Sequence, residues 1–208
     1  MIFNDIEQNT DEWFRLRRGM ITTSKFGVFM ANYGKSFGDP AQRYAFKIAK
    51  EQVTGERVEE SSYTNEHMAN GHIWEPVACE AYQDETFNTV SNGGFCQHED
   101  YKDVGGSPDG LVTGQNGGIE IKSVIDWTQR NTIKRGTFDP AYRWQILGNI
   151  WLCGLDWLDF VSYGFTYTES KKLFIHRVTR EEYQEQIDMI EPRLNEFQEL
   201  IKTEKNYL

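Results

Sequence analysis

An α/β (α+β) architecture is expected for this chain, a sandwich in which helices enclose a central, mostly antiparallel run of short strands. Three observations predict it. Apolar residues recur at helical spacing up to about residue 86. From there to about residue 122 the segments are short and punctuated by Gly and Asn, as strands and turns are. Helical spacing then returns from Pro140 and again beyond Thr179.

The elements follow in order. Asn9-Thr10-Asp11 can cap a short helix carrying Trp13, Leu16 and the arginines Arg15, Arg17 and Arg18, with Gly19 at its end. Thr22 or Thr23 can open another through Phe26 and Phe29. Residues 40–53 carry Tyr44, Ile48 and Val53 at helical spacing and stop near Gly55. Thr64 or Asn65 starts a longer helix through Met68, Ile73, Val77 and Tyr82. Strands are expected near 87–91, 94–98, 110–113 and 118–122, the last two joined by the turn Gly114-Gln115-Asn116-Gly117-Gly118. A helix from Pro140 to Cys153, strands near 157–167 and 171–178, and a long amphipathic helix over 179–203, kinked or broken at Pro192, complete the chain.

The 208 residues are 38% hydrophobic and 14% aromatic, enough for a real core, and one domain over 1–208 is expected. No repeat, low-complexity tract or linker interrupts it. No apolar run is long enough to span a membrane, and the first residues lack a basic segment followed by an apolar signal core. Cys79, Cys96 and Cys153 form neither a zinc pattern nor a disulfide framework, which points to the cytoplasm and no membrane association. The net charge of −10 has the wrong sign for wrapping nucleic acid, although it does not set the sign within one cleft.

The chemistry lies in Ser107-Pro108-Asp109-Gly110-Leu111 followed by Gly118-Ile119-Glu120-Ile121-Lys122-Ser123. Residues two apart on a strand share a face, so Glu120 and Lys122 point one way while Ile119 and Ile121 point to the buried side. The Gly-rich turn lets Asp109 lie beside Glu120, and two carboxylates and an ammonium meet at one rim of a sheet. Oxygen ligands from two acids suit Mg²⁺, which also shares its shell with water and phosphate. Such an ion can polarise a phosphodiester and activate water, while Lys122 orients that water or helps deprotonate it, and stabilises charge on phosphorus. Separately, Pro-Asp-Gly is an ordinary turn and Glu-x-Lys an ordinary strand face; their order on adjoining strands favours a metal nuclease.

In these stretches the chain resembles the PD-(D/E)XK nuclease superfamily, and within it the phage lambda exonuclease family of YqaJ-like viral recombinases. The residues that carry the resemblance are Glu12-Trp13, Leu16-Arg17-Arg18-Gly19-Met20-Ile21-Thr22-Thr23-Ser24 and Gly71 to Glu75. Ser107 to Leu111, Glu120-Ile121-Lys122, Ala141-Tyr142-Arg143-Trp144-Gln145 and Trp151 complete the set, covering residues 11 to about 154. The resemblance implies a restriction-endonuclease-like central mixed sheet flanked by helices. It also implies catalytic Asp109, Glu120, Lys122 and Gln145, and a Mg²⁺ site (Mn²⁺ substituting) formed by Glu75, Asp109, Glu120 and Ile121. Arg17, Ser24 and Ser107 would hold a 5′-phosphate, a task suited to the arginine fork. A further phosphate-contacting arginine of the family falls on Thr128, with Arg130 two residues on.

The implied activity is 5′→3′ digestion of one strand of linear double-stranded DNA to mononucleotides, leaving 3′ overhangs. The implied partners are two more copies in a ring-shaped homotrimer and a single-strand annealing protein that receives the overhang. A restriction-like endonuclease and a silent DNA-binding or assembly module are the rival readings. Elsewhere, His67 and His72 share a helix with Glu75, and His98 and His176 have no evident partner. Trp144, Trp151 and Trp157 read as core or subunit contact.

Overall fold

In the computed structural model the described residues are 1–58 and 66–208, with side chains 66–72 left outside the description. Thr64, Asn65, His67 and His72 therefore fall outside it. The chain begins with β1 (Ile2–Asn4) and α1 (Asp11–Arg17), whose first turn is capped by the Thr10 hydroxyl accepting from the Trp13 amide at 3.3 Å. Next come β2 (Ile21–Thr22), a single 3₁₀ turn at Thr23–Lys25, and α2 (Phe26–Met30). In α3 (Asp39–Thr54), Pro40 occupies the first turn and Gly55 closes the helix at φ 68°, the left-handed region that a Cβ disfavours. Helix α4 (Glu66–Thr86) leads into the short strands β3 (Val90–Asn92), β4 (Phe95–Gln97), β5 (Val104–Gly106) and β6 (Gly110–Val112).

The long strand β7 (Gly117–Val124) is followed by α5 (Asp126–Arg135), a 3₁₀ turn at Pro140–Tyr142 and α6 (Arg143–Cys153). Strands β8 (Trp157–Gly164) and β9 (Leu173–Thr179) and helices α7 (Gln184–Asp188) and α8 (Ile190–Lys205) end the chain. The helix expected over 179–203 is broken at Met189, three residues before Pro192. Pro192 thus lies in the first turn of α8, where a missing amide leaves no hydrogen bond unmade.

The principal sheet has the order β3-β6-β7-β8-β9 and is mixed, as expected: β7 and β8 are parallel and the other pairs antiparallel. The mostly antiparallel reading missed that parallel pair. Parallel neighbours require a crossover connection, and α5 with α6 supplies it. A second, four-stranded sheet, β1-β4-β5-β2, was not foreseen, because strands of two or three residues are too short for an alternating pattern to register.

Period-two alternation divides the interior. From β8, Leu158 and Phe160 enter a large core shared with α2, α3, α6 and α8, while Val161 and Tyr163 join Ile119 and Ile121 of β7 in a second core. Ala78 and Tyr82 of α4 cover that second core. Trp144 and Trp151 pack on the first core and Trp157 on the second. The three cysteines are free thiols. No helix among the described residues is long and apolar enough to cross a membrane.

Helix α5 was missed from the sequence because its inward face is polar. Gln129 is fully buried, donating to the Lys171 and Lys172 carbonyls at 3.0 and 2.9 Å and accepting from the Ser162 hydroxyl at 2.7 Å. Hydrogen bonds rather than apolar periodicity dock this helix on β8.

Two contacts hold the parts around the β6–β7 junction. Asp159 is buried on β8 and accepts the Tyr82 hydroxyl of α4 at 2.8 Å and the Arg177 fork of β9 at 2.8 Å through both nitrogens. Gly93 packs so tightly on the following turn that an added Cβ would stand 1.8 Å from the Pro108 carbonyl oxygen and 2.7 Å from its carbon.

Asp159→Ala is expected to cost about 2 kcal/mol in urea unfolding, less than a fully buried pair because Arg177 is 46% exposed. A loss near zero would mean that the three-element contact carries no stability. Gly93→Ala should cost about 2–3 kcal/mol, whereas Gly27→Ala, with open space around its Cβ, should be nearly neutral. Equal unfolding midpoints for those two variants would contradict the close approach at Gly93.

Candidate active site

The C-terminal half of β7 forms one wall of a cavity of about 650 Å³, large enough for a nucleotide-sized ligand. Glu120, Ile121 and Lys122 line it, facing Glu75 from α4, Asp109 from the turn before β6 and Gln145 from α6. Arg17, Ser24 and Ser107 lie on the same lining. The catalytic, metal-binding and 5′-phosphate residues expected from the resemblance thus line one cavity.

Local geometry explains the convergence. Asp109 precedes β6, and its amide donates to the Ile119 carbonyl at 3.2 Å while its Oδ2 accepts from the Ile121 amide at 2.6 Å. The carboxylate replaces a backbone acceptor at the end of the β6–β7 ladder, which fixes it beside Glu120. The turn is braced from outside: Gln8 donates to the Pro108 carbonyl at 3.1 Å and the Trp13 indole donates to the Ser107 hydroxyl at 2.9 Å.

Glu120 has no solvent exposure. Lys122 and Gln145 both donate to its Oε1, and Asn149 donates to its Oε2 at 3.1 Å. Gln145 and Asn149 are one turn apart on α6, so a single helix face supplies two of the three donors. Asn149 was missed from the sequence; the signal that could have found it is this i, i+4 spacing from Gln145. The Lys122 ammonium also lies 5.2 Å from the centre of the Tyr142 ring.

The carboxylates outnumber the ammonium in a poorly solvated space. Burial, then the charge of Asp109, pushes Glu120 up to about 8, with Lys122 opposing. Burial, then Asp109, likewise pushes Glu75 up to about 7. For Lys122 burial works against the charge, but Glu120 and Asp109 outweigh it and hold the amine protonated. Burial is the larger cause for the two acids, and the charge of Asp109 adds to it; a divalent cation would offset both. Among the described residues no ready-made cage of three acidic, imidazole or thiolate groups exists. An ion that retains several waters needs only one or two carboxylates, however, so the donor set fits a hard cation.

The lining also carries a second cation, Arg17. The Arg17 guanidinium lies 4.0 Å from the centre of the Trp13 ring, and burial, opposed by Tyr44 and reinforced by Arg57, lowers its pKa to about 10. It remains charged at neutral pH. Ser24 is exposed, its hydroxyl 3.3 Å from that of Thr22. Thr128 lines the cavity, whereas Arg130 does not: it lies on the outer side of α5 with its guanidinium 5.0 Å from the Trp127 ring centre. His98 and His176 lie outside the lining. His98 accepts from the Asp100 and Tyr101 amides and stacks on Trp151, and His176 pairs with the Thr137 hydroxyl at 3.0 Å.

Residues 12–156 match the YqaJ-like viral recombinase domain. Among solved structures, the alkaline exonuclease LHK-Exo from Laribacter hongkongensis superposes with a TM-score of 0.80 at 30% identity, over 95% of this chain and 97% of that one. The same protein in complex with dAMP superposes equally well, at 31% identity over the same shares. A phage-related exonuclease from Haemophilus somnus 129PT, at 17% identity and TM-score 0.63 over 88% of this chain and 94% of that one, shares the fold alone. Comparison with curated proteins gives no match. The domain match spans more than half of the chain, and with the fold and cavity above it leads to one assignment: the chain belongs to the YqaJ-like viral recombinase family.

Proposed function

We propose that the chain is a Mg²⁺-dependent 5′→3′ exonuclease that digests one strand of linear double-stranded DNA to 5′-mononucleotides and leaves 3′ overhangs. The observation that carries this reading is the convergence of Asp109, Glu120, Lys122 and Gln145 in a cavity that also presents Arg17, Ser24 and Ser107. Arg17 with the two hydroxyls is suited to a terminal phosphate, and the acids with Lys122 to a phosphodiester. Family membership supports the reading, as does a 31%-identical alkaline exonuclease that was solved with dAMP, a mononucleotide of the size this reaction would release.

Glu75, Asp109, Glu120 and the Ile121 carbonyl would hold the ion, with Mn²⁺ able to replace it. When bound, the metal supplies Lewis-acid polarisation of the phosphodiester and a more acidic water. The protein groups then divide the remaining work. Glu120 anchors Lys122, and the ammonium orients the attacking water and stabilises charge gathering on phosphorus. Gln145 shares the Glu120 oxygen and so fixes the carboxylate relative to α6. In the hydrolysis, the water oxygen forms a new bond to phosphorus and the P–O3′ bond breaks, with the proton passing to the leaving oxygen. The shortened strand then begins with a fresh 5′-phosphate, the group that the fork of Arg17 with Ser24 and Ser107 is placed to hold. The cut end therefore regenerates the feature that is recognised.

A ring-shaped homotrimer would gather such cationic groups toward its channel and leave the acidic excess outside, consistent with a net charge of −10. The 3′ overhang would pass to a single-strand annealing protein. Both partners rest on the family's implied biology.

With Mg²⁺, the wild-type protein should degrade linear duplex to mononucleotides and leave a covalently closed circle intact. Lys122→Ala should lower the rate on the linear substrate at least a hundredfold. Equal rates for the two proteins would end the catalytic assignment, and efficient cutting of the circle would show an endonuclease. Arg17→Ala should reduce the preference for 5′-phosphorylated over 5′-hydroxyl ends roughly tenfold, measured as the ratio of kcat/KM values. A ratio equal to that of wild type would remove Arg17 from end recognition.

A further inference from the structure

The first turn of α5 puts an unusual residue beside the cavity. Ile125 and Thr128, on either side of it in the chain, line the cavity, yet Trp127 is 64% exposed. Tryptophan is on average highly buried, so an indole left in water next to a binding cleft requires a reason. It is not isolated. One turn on, the Arg130 guanidinium lies 5.0 Å from the ring centre, a cation–π contact that restrains the ring while most of the residue stays open to solvent.

The same helix face continues in a consistent chemistry. Gln129 and Thr132 take the buried side of α5, which leaves Trp127, Arg130 and Lys134 at helical spacing on the outer side. Asp126 accepts from the Thr166 hydroxyl at 2.6 Å, which does not cancel its charge, and Arg135 pairs with Asp139 at 3.1 Å, so Arg130 and Lys134 outnumber Asp126 and leave that face net positive. On a chain with 32 acidic and 22 basic residues, two cations on the outer side of a helix whose Thr128 lines the cavity are a local reversal of sign. An aromatic plate followed by two cations is the pattern that binds a nucleic-acid strand: a flat surface for a base, then charges for the backbone.

We propose that the outer face of α5 is a DNA contact, in which Trp127, braced by Arg130, stacks on an unpaired base at the DNA end entering the cleft while Arg130 and Lys134 meet the adjoining phosphates. The ligand's identity rests on the nuclease reading above; the placement rests on Trp127 lying between Ile125 and Thr128, which line the cavity, in the first turn of α5. Every base has a π face, so this contact would hold an end without reading sequence, as processive digestion of arbitrary DNA needs.

The test is binding of the full chain to a short fluorescein-labelled duplex with a frayed end, followed by anisotropy in EDTA so that no cleavage occurs. Trp127→Ala should raise Kd roughly tenfold and Trp127→Phe should restore most of the loss. Arg130→Ala and Lys134→Ala should each reduce the slope of log Kd against log salt by about one. The unfolding midpoint and the mass in solution should stay at their wild-type values. An unchanged Kd for Trp127→Ala overturns the proposal. So does a fall in mass, which would mark the face as a contact between copies of this chain. The two readings fail separately: a wild type that binds the duplex but never cleaves it with Mg²⁺ sinks the nuclease assignment and leaves the α5 contact measurable. A cleaving enzyme indifferent to Trp127 sinks only the latter, and a wild type that does not bind DNA removes both.

Discussion

A carboxylate with no solvent exposure lies where β7 meets α6, and much of the molecule is arranged around keeping it there. Glu120 receives hydrogen bonds from Lys122 on its own strand and from Gln145 and Asn149 on α6. Removing a carboxylate from water is costly unless its oxygens are filled by donors. That cost constrains the rest: α6 must cross β7 at the height where residues 145 and 149 reach it. The large core beneath, with Phe160 alongside Glu120 in the parallel register, holds the crossing in place.

The cavity is chemically mixed. Its lining brings together Arg17 and the hydroxyls of Ser24 and Ser107, the carboxylates with Lys122, and the apolar Ile125 and Phe165. The presence of Arg17 and Lys122 in that lining also reconciles a formal charge of −10 with an anionic substrate, since the charges that matter are those within a few ångströms. Burial, with the charge of Asp109 added to it, raises Glu120 and Glu75, and a divalent cation would offset both effects.

What could be seen in the sequence tracked the strength of local signals. The Thr10 cap, the Gly55 stop and the alternation of Ile119 and Ile121 against Glu120 and Lys122 are nearest-neighbour chemistry, and each appears in the fold where the pattern put it. The strands β1, β2 and β5 have two or three residues each, too few for alternation to show, and the partners of β1 and β2 lie far along the chain. Helix α5 escaped because Gln129 and Thr132 occupy its buried side, where a periodicity search looks for apolar residues. Asn149 escaped because an asparagine within the apolar run Ile146 to Cys153 has no visible task until Glu120 is seen opposite it.

By itself the sequence determined the class of architecture, the two-faced strand that carries Glu120 and Lys122, and the family to which the chain belongs. Those rest on periodicity, turn chemistry and short motifs, which act over a few residues. Only the tertiary structure decided that Glu120 would be wholly buried, that Asp109 would be fixed by the Ile121 amide, and that Thr128 rather than Arg130 would face the cavity. Those outcomes depend on which elements pack together, and on how close a glycine at 93 lets one strand approach the turn of another. Burial and hydrogen-bond satisfaction belong to the assembled fold, because each requires partners that are distant in the chain.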